Sequence, residues 1–115
     1  MYKFSYDEIL VDGSANQRIA EKQALEHSIG LLREAEKKGA SSREAIDAIL
    51  FVNRLWSFIL EELIKPENEL SEKLRASLIS IGIWVLREAD AITDGKSRNL
   101  RGLIEVTEII AEGLQ

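Results

Sequence analysis

His27 is the only histidine in the chain, and it stands without a ligand set. A metal centre built between helices would need a carboxylate three residues before it, and Ala24 occupies that place. There is no cysteine, which removes a thiolate nucleophile, a disulfide framework and a cysteine metal site. Acids gather at Glu61-Glu62, Glu67, Glu69 and Glu72, around the single proline, Pro66. Paired carboxylates do acid–base work when burial drives their pKa values apart; this cluster flanks a turn and reads as solvated. No serine or threonine carries a local signature that would match it to a histidine base. Gly95-Lys96-Ser97 resembles the end of a phosphate loop, but Asp90 stands where the earlier glycine should be. The expectation is a protein that is not an enzyme, with no cofactor, no metal and no small-molecule substrate.

What the chain has in surplus is apolar and aromatic surface. The segment 42–65 is apolar over most of its circumference, through Ile46, Ile49, Phe51, Val52, Leu55, Trp56, Phe58, Ile59, Leu60 and Leu63. The segment 71–93 carries one stripe at Leu74, Leu78, Ile81, Val85, Ala89 and Ile92, and a second at Ile79, Ile83 and Leu86. A helix apolar all round is either central in a bundle or half open to a partner. An amphipathic partner helix would be recognised through anchors three and four residues apart. Both readings stand. The candidate protein-binding contacts are Phe51, Trp56, Phe58, Ile79, Ile83 and Trp84, each of which core packing would also explain.

Lys96, Arg98 and Arg101 form the one basic concentration, either a solvated helix start or a polar contact to RNA or to an acidic partner. The net charge of −5 disfavours sequence-independent nucleic-acid binding, which needs a basic face to displace phosphate counterions. The N-terminal residues lack the pattern of a signal peptide. The longest uncharged run, 76–86, is well short of the ~18 apolar residues of a membrane span. A cytoplasmic protein with no membrane partner is expected.

The elements that must position these residues are helices. Gly13-Ser14, Gly39, Pro66-Glu67-Asn68 and Asp94-Gly95 divide four helical stretches, near 15–38, 42–65, 71–93 and 99–112. Ser14 with Gln17, and Ser41 with Glu44, have capping-box spacing. Ser71 opens the third helix, and Ser97 or Asn99 the fourth. The first helix offers Ala20, Ala24, Ser28, Leu31, Leu32 and Ala35 along one face; the fourth offers Leu103, Val106, Ile110 and Leu114. No strand alternation persists. With 45% hydrophobic residues in a chain of 115, the expectation is one domain, a compact all-α bundle of four to five helices with mostly antiparallel neighbours. Residues 1–12 are a short leading helix or an extended arm. With Tyr2, Phe4, Tyr6, Ile9 and Leu10, that stretch has enough apolar material to occupy a groove.

The chain resembles the FlaF family of flagellar biosynthesis regulators, known mainly from alphaproteobacteria. The residues that carry the likeness are Leu55-Trp56 with Phe58 and Glu61, Asn68 and Leu70, Leu74-Arg75-Ala76, Ile79-Ser80-Ile81 and Trp84-Val85. They continue with Leu103-Ile104, Val106, Ile110 and Glu112-Gly113-Leu114, and an early Arg18 with Glu21 also fits. The likeness spans nearly the whole chain. It departs at Thr107-Glu108, where the family often has Asn-Arg, and at Leu86-Arg87-Glu88, where Arg-His often follows the second Trp-Val. If those positions touch the partner, its preference differs here. The resemblance implies a cytoplasmic helper that binds flagellin, either as a secretion chaperone or in post-transcriptional control of flagellin synthesis, and that is associated with the translational regulator FlbT. It implies no cofactor and no catalysis. Flagellin termini are amphipathic helices, disordered before assembly, whose apolar faces a helical groove would shield. The competing expectation is a regulator acting on flagellin messenger RNA, directly or through FlbT.

Overall fold

Gly39, Pro66 and Asp94-Gly95 each fall just after a helix stops, and Ser14 stands where the first described helix starts. The computed structural model describes residues 14–113, with side chains from Arg18 onward. Four helices make up most of it: α1 (Ser14–Lys38), α2 (Arg43–Leu63), α3 (Glu72–Thr93) and α4 (Leu100–Gly113). The described residues hold no strand, and the fold is the all-α bundle that the sequence implies. The expected leading helix or arm at 1–12, the capping side chains of Ser14 and Gln17, and Leu114 lie outside the described residues.

The connections are set by local chemistry. Gly39, at φ 105°, ends α1 in a conformation that side-chain-bearing residues rarely adopt. The N-cap of α2 is Ser42, not Ser41. Its backbone is extended, and its Oγ accepts from the Ala45 N–H at 3.1 Å while donating to the Gly39 carbonyl at 2.6 Å. The expected capping box of Ser41 and Glu44 is therefore one residue out of phase. Ser71 caps α3 by accepting from the Leu74 N–H at 3.2 Å. At the end of α3, Lys96 N–H reaches the Ala91 carbonyl and Gly95 N–H the Ile92 carbonyl, with Gly95 at φ 76°. That is a Schellman closure, so the Lys96 amide that a phosphate loop would point at its ligand is already bonded. Ser97 Oγ then accepts from the Asn99 N–H, and Asn99 Oδ1 from the Gly102 N–H at 3.0 Å, so both expected residues take part in opening α4.

α1 packs against both α2 and α4, and α2 also packs against α3, whereas α3 and α4 touch only sparsely. Arg33 pairs with Glu108 and Arg101 with Glu36, so α1 and α4 run antiparallel. These are exposed pairs, worth ~0–1 kcal/mol each. The core is built from Leu25, Leu32, Val52, Leu55, Trp56, Val85, Leu103 and Ile104, all essentially inaccessible. On α4 the buried face is Leu100, Leu103, Ile104, Thr107 and Ala111, rotated from the expected stripe of Leu103, Val106 and Ile110. Thr107 fits inside because its hydroxyl donates to the Leu103 carbonyl at 2.6 Å, and buried Ser28 does the same to Leu25 at 2.6 Å. Each buried hydroxyl thus keeps a hydrogen bond.

α3 is the least embedded helix. Its buried residues are Gly82, Val85, Ala89 and Ile92, all from its midpoint onward. Gly82 sets how close α3 comes to α2, because a Cβ there would stand 2.8 Å from Leu60 Cδ2 and 2.9 Å from the ring of Trp56. Leu60 can turn aside, but the buried indole cannot. Gly82→Ala should therefore destabilise the fold by about 1–2 kcal/mol, the overpacking strain outweighing the better helix propensity of alanine. A urea unfolding curve reads this directly, and a stabilised variant would contradict the close approach.

Candidate partner-binding cleft

The α2–α3 turn is fixed by side chains reaching back to the end of α2. Asn68 Nδ2 donates to the Glu62 carbonyl at 3.0 Å, and its Oδ1 accepts from the Leu70 N–H at 3.0 Å. Arg75 Nε donates to the Leu63 carbonyl at 3.0 Å. The last carbonyls of a helix have no partner within it, so these bonds close α2 and fix where α3 begins. Asn68→Ala removes two of them and should cost about 1–3 kcal/mol, seen as a lower urea midpoint at unchanged slope.

With its first turns tied to the turn and its second half tied to α2, α3 leaves a gap towards α4 at this end of the bundle. The gap is an open cleft of about 400 Å³. Its apolar lining comes from every helix: Leu25 of α1; Trp56, Ile59 and Leu63 of α2; Leu74 and Leu78 of α3; Ile109 and Ile110 of α4; and Leu70 from the turn. Arg18, Glu21, Glu62, Lys65, Glu67 and Glu69 add charges of both signs. Lys65 Nζ donates to Glu62 Oε2 at 2.6 Å, and that bond and charge raise the Lys65 pKa above the ordinary lysine value. Such a cleft is suited to apolar side chains presented on a segment with polar flanks. Among the described residues, no group of three or more His, Cys, Asp or Glu could hold a metal ion.

Of the six protein-binding candidates read from the sequence, only Trp56 lines the cleft, and its side chain is also a core element at 1% exposure. Phe51 packs against the core, with the His27 ring edge-on at 4.9 Å, and so belongs to the α1–α2 seam. Phe58 is half-buried, and Ile79 is half-buried against the core. Ile83 and Trp84 are exposed on α3 at 42% and 39%. Lys96, Arg98 and Arg101 sit at the opposite end, in the α3–α4 connection and the start of α4. All three are exposed, but Arg101 is held by the Glu36 carboxylate, with Nε to Oε2 at 3.0 Å. Sequence reasoning did not select Leu25, Ile59, Leu63, Leu70, Ile109 or Ile110 as contacts. The available signal was the stripe of α3, which continues through Leu78 and Leu74 beyond the part of the helix that the bundle can cover.

A four-helix bundle with an apolar cleft open at one end defines a class, that of small all-α bundle domains. Within that class the family is shown by a match to the model for the flagellar protein FlaF over residues 2–114. The chain belongs to the FlaF family and is in that sense a flagellar protein. No curated protein and no solved structure matches it. No helix among the described residues is long and apolar enough to cross a membrane.

Part of the set of residues that carry the family likeness meets at the cleft, whereas Leu55, Phe58, Ile79, Ile81, Trp84, Val85, Leu103 and Ile104 lie outside it. Arg18, Glu21, Trp56, Asn68, Leu70, Leu74, Ile110 and Gly113 all line it. The departures lie elsewhere. Thr107 is buried, Glu108 is paired with Arg33, Leu86 packs against the core, and Glu88 accepts from Ser97 Oγ at 2.7 Å. These four positions serve packing and bonding within the bundle, and Arg87 is exposed.

Proposed function

We propose that this protein is a helper of flagellar biosynthesis that binds flagellin, taking one of its terminal amphipathic helices into the cleft between α3 and α4 and so supporting flagellin secretion, synthesis and filament assembly. The observation that carries the reading is the cleft itself. It is an apolar trough left because α3 and α4 do not close on each other, lined by side chains from all four helices. A fifth helix laid there would complete the bundle and cover Leu74 and Ile109, now 46% and 68% exposed. Shielding an apolar flagellin face in this way would delay premature polymerisation.

The test is a calorimetric titration of the full chain with peptides covering the two flagellin termini, at two temperatures and two salt concentrations. Saturable binding with a negative heat-capacity change and weak salt dependence is the expected result, because apolar burial dominates. Absence of binding by both peptides would overturn the flagellin reading and redirect the search to FlbT or to the flagellin messenger RNA. The same direction would follow from steeply salt-dependent binding of the flagellin leader RNA that is lost on changing Lys96 and Arg98 to Ala.

A further inference from the structure

We infer that the outer face of the α2–α3 hairpin is the interface of a two-fold dimer, with a second copy of this chain as its occupant. This surface is separate from the cleft, and the inference holds whether or not flagellin is the partner there.

α2 carries two stripes. One is the buried face that runs through Ala45, Ile49, Val52, Trp56 and Leu63. The other is Ile46, Leu50, Asn53, Ser57, Leu60 and Ile64, spaced by four, three, four, three and four, as the seam residues of paired helices are. The bundle leaves this second stripe outside, with Ile46 64%, Leu50 48% and Ile64 65% exposed. α3 continues the surface. Its Gly82 stands against Leu60 and Trp56. Counted at 3.6 residues per turn from that contact, Ile79, Ile83 and Leu86 turn to the same side of the hairpin as the outer stripe of α2. Four of the eight large exposed hydrophobics among the described residues, Ile46, Leu50, Ile64 and Ile83, thus share one face.

Two observations name a second copy as the occupant. The first is size. α2 has 21 residues and is therefore about 31 Å long, and two helices side by side are roughly 20 Å wide. A face of that extent is of the size that buries roughly 800 Å² per chain, as standard interfaces do. The second is self-complementarity. A two-fold axis crossing α2 between Ser57 and Phe58 lays this helix antiparallel on the α2 of the second copy. Exposed Arg54 then stands opposite Glu61 of the second copy, and exposed Glu61 opposite its Arg54. Leu50 meets Ile64 of the second copy. The same axis passes beside Gly82, which is level with Trp56 and Leu60, so Ile83 meets its own copy and Ile79 meets Leu86. Apolar faces apolar along both helices, and each flanking charge faces its opposite.

Sedimentation equilibrium of the full chain across the micromolar range tests this, and should give twice the 13.0 kDa of one chain. Leu50→Glu with Ile83→Glu should return the protein to the monomer with an unchanged far-ultraviolet circular dichroism spectrum, because both side chains are exposed in the single chain. Arg54→Glu alone and Glu61→Arg alone should each raise the dimer dissociation constant at least about tenfold, since each sets two pairs of like charges against one another. Mixing those two variants should restore association as a heterodimer, because every contact between positions 54 and 61 then joins a glutamate to an arginine. The mass of one chain throughout, a mass above that of two chains, or a dimer that survives Leu50→Glu with Ile83→Glu overturns the inference. A mixture that associates no better than either variant alone overturns it as well, by removing the two-fold pairing. A monomer that loses its binding of a flagellin terminal peptide on Leu50→Glu with Ile83→Glu also overturns it, and gives this face to the partner helix. Dimerisation without flagellin binding would leave the inference standing and remove the proposed function.

Discussion

Trp56→Ala should cost about 4 kcal/mol of folding free energy, the largest single effect expected for this chain. The indole is 1% exposed and stands at a junction: one edge lies where a Cβ on Gly82 would be, and another lines the cleft. A buried aromatic removes roughly 150–250 Å² from water, worth about 4–6 kcal/mol at 25 cal/mol per Å². The void left by truncation would open into the cleft, where water can enter, which places the cost near the lower end of that range. For a domain of this size about 4 kcal/mol lowers the melting temperature by roughly 15–30 °C. Trp84→Ala is the internal comparison. Its side chain is 39% exposed on α3, and its loss should cost under about 1 kcal/mol. Urea unfolding followed by far-ultraviolet circular dichroism separates the two. Equal costs would mean that Trp56 does not anchor α3 to α2.

The contrast between the tryptophans shows what was legible in the sequence. Helix boundaries were, because their causes are local. Ser71, Asn99 and the Gly95 turn each act within a few residues of themselves. Ser42 was misread as Ser41 because two adjacent serines offer the same hydroxyl, and only the backbone conformation decides which one caps. The α4 face was off by a rotation because Thr107 looks polar, whereas its hydroxyl is satisfied by its own helix. A groove was one of two open readings, but its place was not legible. Leu74, Leu78 and Ile109 are ordinary stripe residues until it is known that α3 and α4 fail to close, and that depends on where Asn68 and Arg75 fix the start of α3. Phe51 and Trp84 look alike as binding candidates in a linear pattern. Only packing separates the one pressed against the core beside His27 from the one facing solvent.

The same geometry separates binding from stability. The double variant Leu74→Glu, Ile109→Lys should weaken binding of a flagellin terminal helix about a hundredfold, some 2.7 kcal/mol, while leaving the fold intact. Both side chains are largely exposed in the free protein, on opposite walls of the cleft, so their loss leaves no internal void. Leu74 sits three residues after the capping Ser71, whose Oγ already accepts from its N–H, and a glutamate there would add the return half of a capping box. Ile109 lies towards the C-terminal end of α4, where a cation suits the helix dipole. The two changes cancel in charge, so the net −5 and any long-range steering are preserved. What changes is the cleft, where a bound helix would have to bury two charges in place of two apolar anchors. Ile46→Lys, at the opposite end of α2 and 64% exposed, should leave the affinity unchanged. If the double variant melts normally and binds as tightly as the unaltered chain, the cleft is not the docking surface. The exposed pair Ile83 and Trp84 on α3 would then be the next surface to alter, because a partner helix laid there would touch neither Leu74 nor Ile109.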